Sequence, residues 1–208
     1  VDMGAYEGGE VIPHYFVDHK AGPDGKGRSW EDAFQGLEDA LAQSSKAEIW
    51  VAKGIYTSDK FKISGAEVGS ELQIYGGFLG GELTRSDRNW SQNETILRNP
   101  DGIVFQFNNI DEETTVLDGF IITDGGSNVK KPKSFENIGG IKISFASPQI
   151  TNCFIRNNNG RGINIYIGSP RITNCIISGN IADKGAGIYS TGNAAMTSGP
   201  TFINCTIS

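Results

Sequence analysis

The chain has 208 residues, a formal net charge of −6, and 28 glycines against three cysteines. That length suits one domain with a sizeable core. The lack of a basic stripe argues against nucleic acid as a partner, and no apolar run reaches the roughly 18 residues that span a bilayer. Lys130, Lys131 and Lys133 form the only basic cluster and read as a solvated loop. With neither an initiator Met nor a signal-peptide pattern, a mature chain or a fragment is expected.

In chain order, residues 1–9 (VDMGAYEGG) are short, β-like and closed by glycines. Residues 10–28 follow as a loop around a candidate first strand, HYFVD at 14–18, and the turn-rich GPDGKG at 22–27. Asp18 and Asp24 in this loop are the calcium candidates, but two carboxylates fall short of the roughly six to eight oxygens that calcium takes. No metal or cofactor is therefore expected. Ser29 with Asp32 reads as a capping pair, and Trp30, Phe34, Leu37 and Leu41 fall at the spacing of one helical face. This predicts an amphipathic helix over 30–42, laid across the end of the strand array so that apolar core and strand edge are covered. The expected organisation is a strand at 1–9, an N-terminal cap at 10–47 and coils over 48–208.

From residue 48 the chain reads as short strands: EIWVAKGIYT at 48–57, KFKIS at 60–64, LQIYGGF at 72–78, TILRN at 95–99, IVFQF at 103–107 and TTVLDGFII at 114–122. A polar insert at 80–94 contains Trp90, and 125–137 is the longest lateral loop. The sequons at Asn89, Asn93 and Asn204 matter only in a secretory eukaryote.

The tail repeats itself. SPQITNCFIRNNN (147–159), SPRITNCIISGNI (169–181) and GPTFINCTIS (199–208) share a Pro, an Asn and a Cys in step, the first two copies 22 residues apart and the last two 30 apart. Glycine-led strands precede them, GGIKI at 139–143, RGINI at 161–165 and GAGIY at 185–189. One such coil cannot bury its apolar face alone and must lie on the next. The reading is all-β: a right-handed parallel β-helix, a solenoid, with an N-terminal amphipathic capping helix.

Stacking at the strand spacing of roughly 4.8 Å lines equivalent residues into columns. Ile150, Ile172 and Ile203 alternate with Asn152, Asn174 and Asn204, so period-two alternation predicts inward asparagines forming a structural ladder. Cys153, Cys175 and Cys205 take the opposite parity. They read as buried free thiols, with disulfide, metal ligand and nucleophile as the alternatives. Asp118-Gly119 aligns with Asn152-Cys153 in a more divergent copy.

YFVDHKAGPDGKGRSWEDAFQGLEDALAQSSKAEIWVAKGIYT (15–57) resembles the opening of bacterial secreted right-handed β-helix proteins of the pectin-lyase-like superfamily. LQIYGGFLGGE (72–82), DRNW (87–90) and the SPxITNC repeats continue the resemblance over nearly the whole chain. It implies an extracellular or cell-surface location. VDMGAYE (1–7) is similar to the strand that closes the last coil in that family, which suggests a preceding β-helix in a tandem protein. A last coil open at Ser208 suggests a continuing chain, or end-to-end self-association by strand addition.

The resemblance spans lyases, hydrolases, adhesins and fibre proteins, so function must come from a site. The expected hydrolase and pectate-lyase motifs are missing, and Asp18-His19 precedes the cap. The nearest bases are Lys142, Arg156, Arg161 and Arg171, with Asp118, Asp124 and Glu136 nearby in sequence, all reading as outward surface residues. The expected function is a non-catalytic extracellular structural or adhesive module, a self-assembling surface, matrix or fibre component in contact with glycans. The alternative is a fragment of a polysaccharide lyase or hydrolase whose catalytic coils lie outside this chain.

Overall fold

The computed structural model describes residues 12–43, 45–65, 71–110, 114–128, 137–193, 196 and 198–208. The strand expected at 1–9, the lysine cluster at 130–133 and Glu136 lie outside the described residues. Three parallel sheets form the walls of a solenoid. The first contains His14–Val17, Lys46–Ala52, Glu71–Phe78, Val116–Asp118, Gln149–Thr151, Arg171–Thr173 and Thr201–Ile203. The second contains Gly54–Thr57, Thr95–Arg98, Ile121–Thr123, Phe154–Arg156, Ile176–Ser178 and Thr206–Ile207. The third contains Lys62–Ser64, Ile103–Ile110, Gly139–Ala146, Arg161–Tyr166 and Ile188–Thr191. The chain visits third, first and second sheet in turn, so each coil hydrogen-bonds only to the coils above and below.

In-register pairing turns the sequence repeat into apolar columns. On the first sheet Ile49, Ile74, Leu117, Ile150, Ile172 and Phe202 are successive partners. On the second, Leu97, Ile122, Ile155, Ile177 and Ile207 stack, and on the third Phe105, Ile141, Ile163 and Ile188. Apart from Ile207, which is exposed, these side chains meet on the cylinder axis in one continuous core. Burying a side chain of this size is worth roughly 1.5–3 kcal/mol, which offsets the ordering entropy of strands only three residues long.

The corners are set by left-handed backbone. Asn109, Phe145 and Ile167 (φ 52°, 52° and 55°) turn the third sheet into the first. Gly119, Asn152, Asn174 and Asn204 (φ 84°, 53°, 54° and 50°) turn the first into the second, and Asp124, Asn157 and Gly179 (φ 59°, 55° and 63°) end the second. Asn, Asp and Gly adopt this region at the lowest cost, which accounts for their repeated use.

The predicted helix over 30–42 is not formed; among these residues only Leu37–Leu41 is helical. Phe34 instead runs extended beside the first strand, donating its N–H to Phe16 O (2.9 Å) while its carbonyl accepts from Asp18 N (2.9 Å). The open edge of His14–Val17 offers these partners. Asp32 meanwhile accepts from Lys26 N (3.1 Å) and Arg28 Nε (3.0 Å), which commits the segment to a turn. Gly36, a poor helix interior residue, becomes the N-cap of the short helix. Phe34, Leu37 and Ala40 face the core with Leu41 against it, but Trp30 turns the other way. It joins Phe16, Trp50, Tyr75 and Phe78 in a second apolar cluster outside the first sheet, and its Nε1 donates to Glu82 O at 3.0 Å.

Candidate functional site

On the third sheet, period-two alternation sends Ile141, Ile143, Ile163 and Ile165 inward and their neighbours outward. Parallel register then places Lys142 beside Asn164 beside Tyr189, and Ser144 beside Tyr166 beside Thr191. With Arg161 these residues line a cleft of about 290 Å³. The Arg161 guanidinium lies 3.6 Å from the centroid of the Tyr189 ring and donates from Nη1 to Asn164 Oδ1 at 3.1 Å. Lys142 Nζ donates to Asn137 Oδ1 at 3.1 Å. Tyr166 meets Phe145 edge to face, centroids 5.3 Å apart, and both rings are exposed. Among the described lining residues there are two cations and no carboxylate. Chemically the cleft offers fixed donors and aromatic faces on a rigid wall.

The other basic and acidic candidates from the sequence fall on other faces. Arg156 projects from the second sheet, 6.0 Å from the Phe154 ring centroid, and Arg171 is exposed on the first sheet. Asp118 lies on the first sheet and pairs with Arg88 Nη2 at 2.9 Å, while Asp124 occupies a left-handed corner. Asp24 is exposed on its loop, and Asp18 Oδ1 accepts from Lys20 N at 2.9 Å. No group of three or more metal-ligating side chains occurs among the described residues.

The asparagine ladder runs along the corner: Asn204 donates to Asn174 (2.8 Å), Asn174 to Asn152 (3.3 Å) and Asn152 to Asp118 Oδ1 (2.9 Å). It does not point inward as alternation predicts. The left-handed φ at each asparagine breaks the alternation, leaving Asn174 and Asn204 exposed and turning the next residue, the cysteine, toward the core. Two alignments shift by one residue as well. Phe202, not Ile203, stacks on Ile172, leaving Ile203 outward, and Thr151 pairs with Asp118, so Gly119 stands opposite Asn152.

The cysteines are free. Cys153 Sγ lies 3.1 Å from Thr151 O, Cys175 Sγ 3.3 Å from Thr173 O and Cys205 Sγ 3.3 Å from Ile203 O, each a weak thiol donor to the carbonyl two residues back. Burial pushes the Cys153 thiol well above its ordinary value, which removes nucleophilic character. A buried amide ladder does exist, at a different column. Asn158, 1% exposed, donates to Asn180 Oδ1 (2.8 Å) and Ile122 O (3.2 Å) and accepts from Gly125 N (2.8 Å). The signal was present, since Asn158 and Asn180 are separated by the same 22 residues as Cys153 and Cys175.

A family model described as "Right handed beta helix region" matches residues 52–207. The chain belongs to this right-handed β-helix family. Among solved structures it is similar to the crystal structure of pectate lyase Pel9A, at 14% identity with a TM-score of 0.62 over 95% of this chain. The β-helix spans 48% of that lyase's length. At this identity the likeness concerns the fold alone. No curated protein matches the chain.

At the N-terminal end of the β-helix, His14 stacks on Phe16 (4.5 Å between centroids) and meets Trp50 edge to face (4.3 Å). Its buried Nε2 has no hydrogen-bond partner among the described residues. Burial lowers its pKa, with the Glu48 carboxylate opposing. His19 packs over Gly54, where any Cβ would collide with the imidazole. His14 thus packs on the first sheet and His19 on the second-sheet strand Gly54–Thr57, and neither lines the cleft on the third sheet.

Proposed function

We propose that this chain is a non-catalytic, extracellular glycan-contacting module, in which a rigid β-helix presents the third-sheet cleft to a polysaccharide. The observation that carries this reading is the pairing of Lys142 and Arg161 with Tyr166 and Tyr189 on one flat face. Sugars offer hydroxyls to fixed donors and C–H faces to aromatic rings, and a uronate adds a carboxylate for the two cations. The rod form results from stacking, which holds the donors without the ordering cost that flexible loops would incur on binding.

The second reading is a fragment of a carbohydrate-active enzyme. It is supported by the fold shared with a pectate lyase of about twice this chain's length. One experiment separates the two: the chain is incubated with polygalacturonate and calcium while retention on the polymer and the ultraviolet absorbance of unsaturated uronate are followed together. Retention without absorbance change, lost in a Lys142→Ala, Arg161→Ala double variant, is the expected result. A steady rise in absorbance supports the enzyme reading, and no retention removes the uronate contact at the third-sheet cleft.

A further inference from the structure

A second cleft, of about 550 Å³, lies on the outer face of the first sheet and is lined by Glu48, Arg85, Ser86, Arg88 and Trp90. Its volume falls within the roughly 300–1,000 Å³ of small-molecule sites. Glu48 projects from Lys46–Ala52, and the other residues come from the segment joining Glu71–Phe78 to Thr95–Arg98. Gly77 and Gly119 leave room for the Trp90 backbone and Cβ, with which a Cβ at either position would collide, and this sets where Trp90 leaves the chain.

The two arginines differ in what they have left to offer. Arg88 is 12% exposed at its side chain, pairs with Asp118 Oδ2 (2.9 Å) and also donates to Gly76 O (3.0 Å) and Asp118 O (3.3 Å). Arg85 is 48% exposed and, among the described residues, its side chain donates only to Tyr75 OH (2.9 Å), with its guanidinium 4.6 Å from that ring's centroid. Glu48 Oε2 stands 3.6 Å from Arg85, beyond the roughly 2.7–2.9 Å of a charge-assisted hydrogen bond. Glu48 Oε1 is held by Trp50 Nε1 at 2.7 Å. The cleft therefore presents a partly used donor fork and a positioned acceptor side by side, 3.6 Å apart at their nearest atoms, with an indole alongside.

The charges choose the ligand class. Arg85 balances Glu48 and Arg88 balances Asp118, so an anion or cation entering the cleft meets no net opposite charge. A sugar hydroxyl both donates and accepts, so adjacent hydroxyls can bridge Arg85 and Glu48 while the C–H face of the ring lies on Trp90. We propose that this cleft binds a neutral sugar residue of a glycan. The site is separate from the cationic cleft on the third sheet and stands or falls without it.

The test is a titration of the isotope-labelled chain with neutral oligosaccharides of glucose, galactose, mannose and xylose, and with oligogalacturonate, following the Trp90 indole N–H signal. At least one neutral oligosaccharide should move that signal with millimolar affinity and little dependence on salt. Arg85→Ala and Glu48→Gln, each first shown to keep the parent thermal midpoint, should each weaken it about tenfold, and Lys142→Ala should not. The proposal is overturned if no neutral oligosaccharide moves the Trp90 signal, if both variants bind like the parent, or if oligogalacturonate binds this cleft more tightly than every neutral sugar.

Discussion

Two asparagines of the same sequence type do opposite work, and the difference is measurable. Asn158 satisfies Gly125 N, Ile122 O and Asn180 from a buried position. Asn158→Ala leaves those groups unpaired and should cost at least about 1–3 kcal/mol in a denaturant titration. Asn174 is exposed and holds a corner at φ 54°. Asn174→Gly should therefore cost only a few tenths of a kcal/mol, whereas Asn174→Ala should lose about 1 kcal/mol to left-handed strain. The sequence makes the two columns visible as repeats but not which is inside, because strand alternation is counted through a corner whose φ resets the parity. His14 adds a pH dependence. Its folded pKa is depressed, so near its ordinary value of about 6.5 the unfolded chain binds a proton that the folded chain does not. Stability should be full above that pH and fall as pH drops through it. His14→Phe, which keeps the stacking, should flatten the urea midpoint across pH of about 5 to 8.

The segment over 30–42 shows how one apolar pattern fits two structures. Trp30, Phe34, Leu37 and Leu41 fit a helical face, yet the first strand's unpaired edge takes Phe34 into extended pairing, and an outer aromatic cluster takes Trp30. A sequence read alone contains neither competitor. The cost of removing each part depends on where it lands. Leu37→Ala should destabilise by about 2–5 kcal/mol, the range for a fully buried leucine. Trp30→Phe should keep the fold, lose the bond to Glu82 O and cost about 0.5–1.5 kcal/mol. Thermal melts of the two variants against the parent check the order; equal losses would count against the larger contribution assigned to Leu37 in the core.

For the whole molecule, stability is close to a sum over neighbouring coils, so opening should depend on position along the stack. The three thiols sample that gradient. Cys205 is partly exposed whereas Cys153 and Cys175 are buried. Alkylation under native conditions, read by mass spectrometry, should mark Cys205 first and Cys153 last, and Cys153 only at the rate of opening of the inner coils. The solenoid itself was legible from the tail, since the 22-residue spacing of Cys153 and Cys175 carries the coil length directly. The early coils were less so: the outer cluster and the segment over Trp90 recruit residues across the first sheet that no repeat announces.

The corner between the first and second sheets has a consequence for how such a chain can change. In the last four coils it is spanned by Gly119-Phe120, Asn152-Cys153, Asn174-Cys175 and Asn204-Cys205, a constant pair. The corner after the second sheet holds 157–160 in one coil and 179–187 in the next. The pair is thus a fixed ruler that resets the register once per turn, whatever is inserted elsewhere. New loops can be acquired at the other corners without disturbing a stacked column, so the surface of this rod can diversify while its interior stays the same.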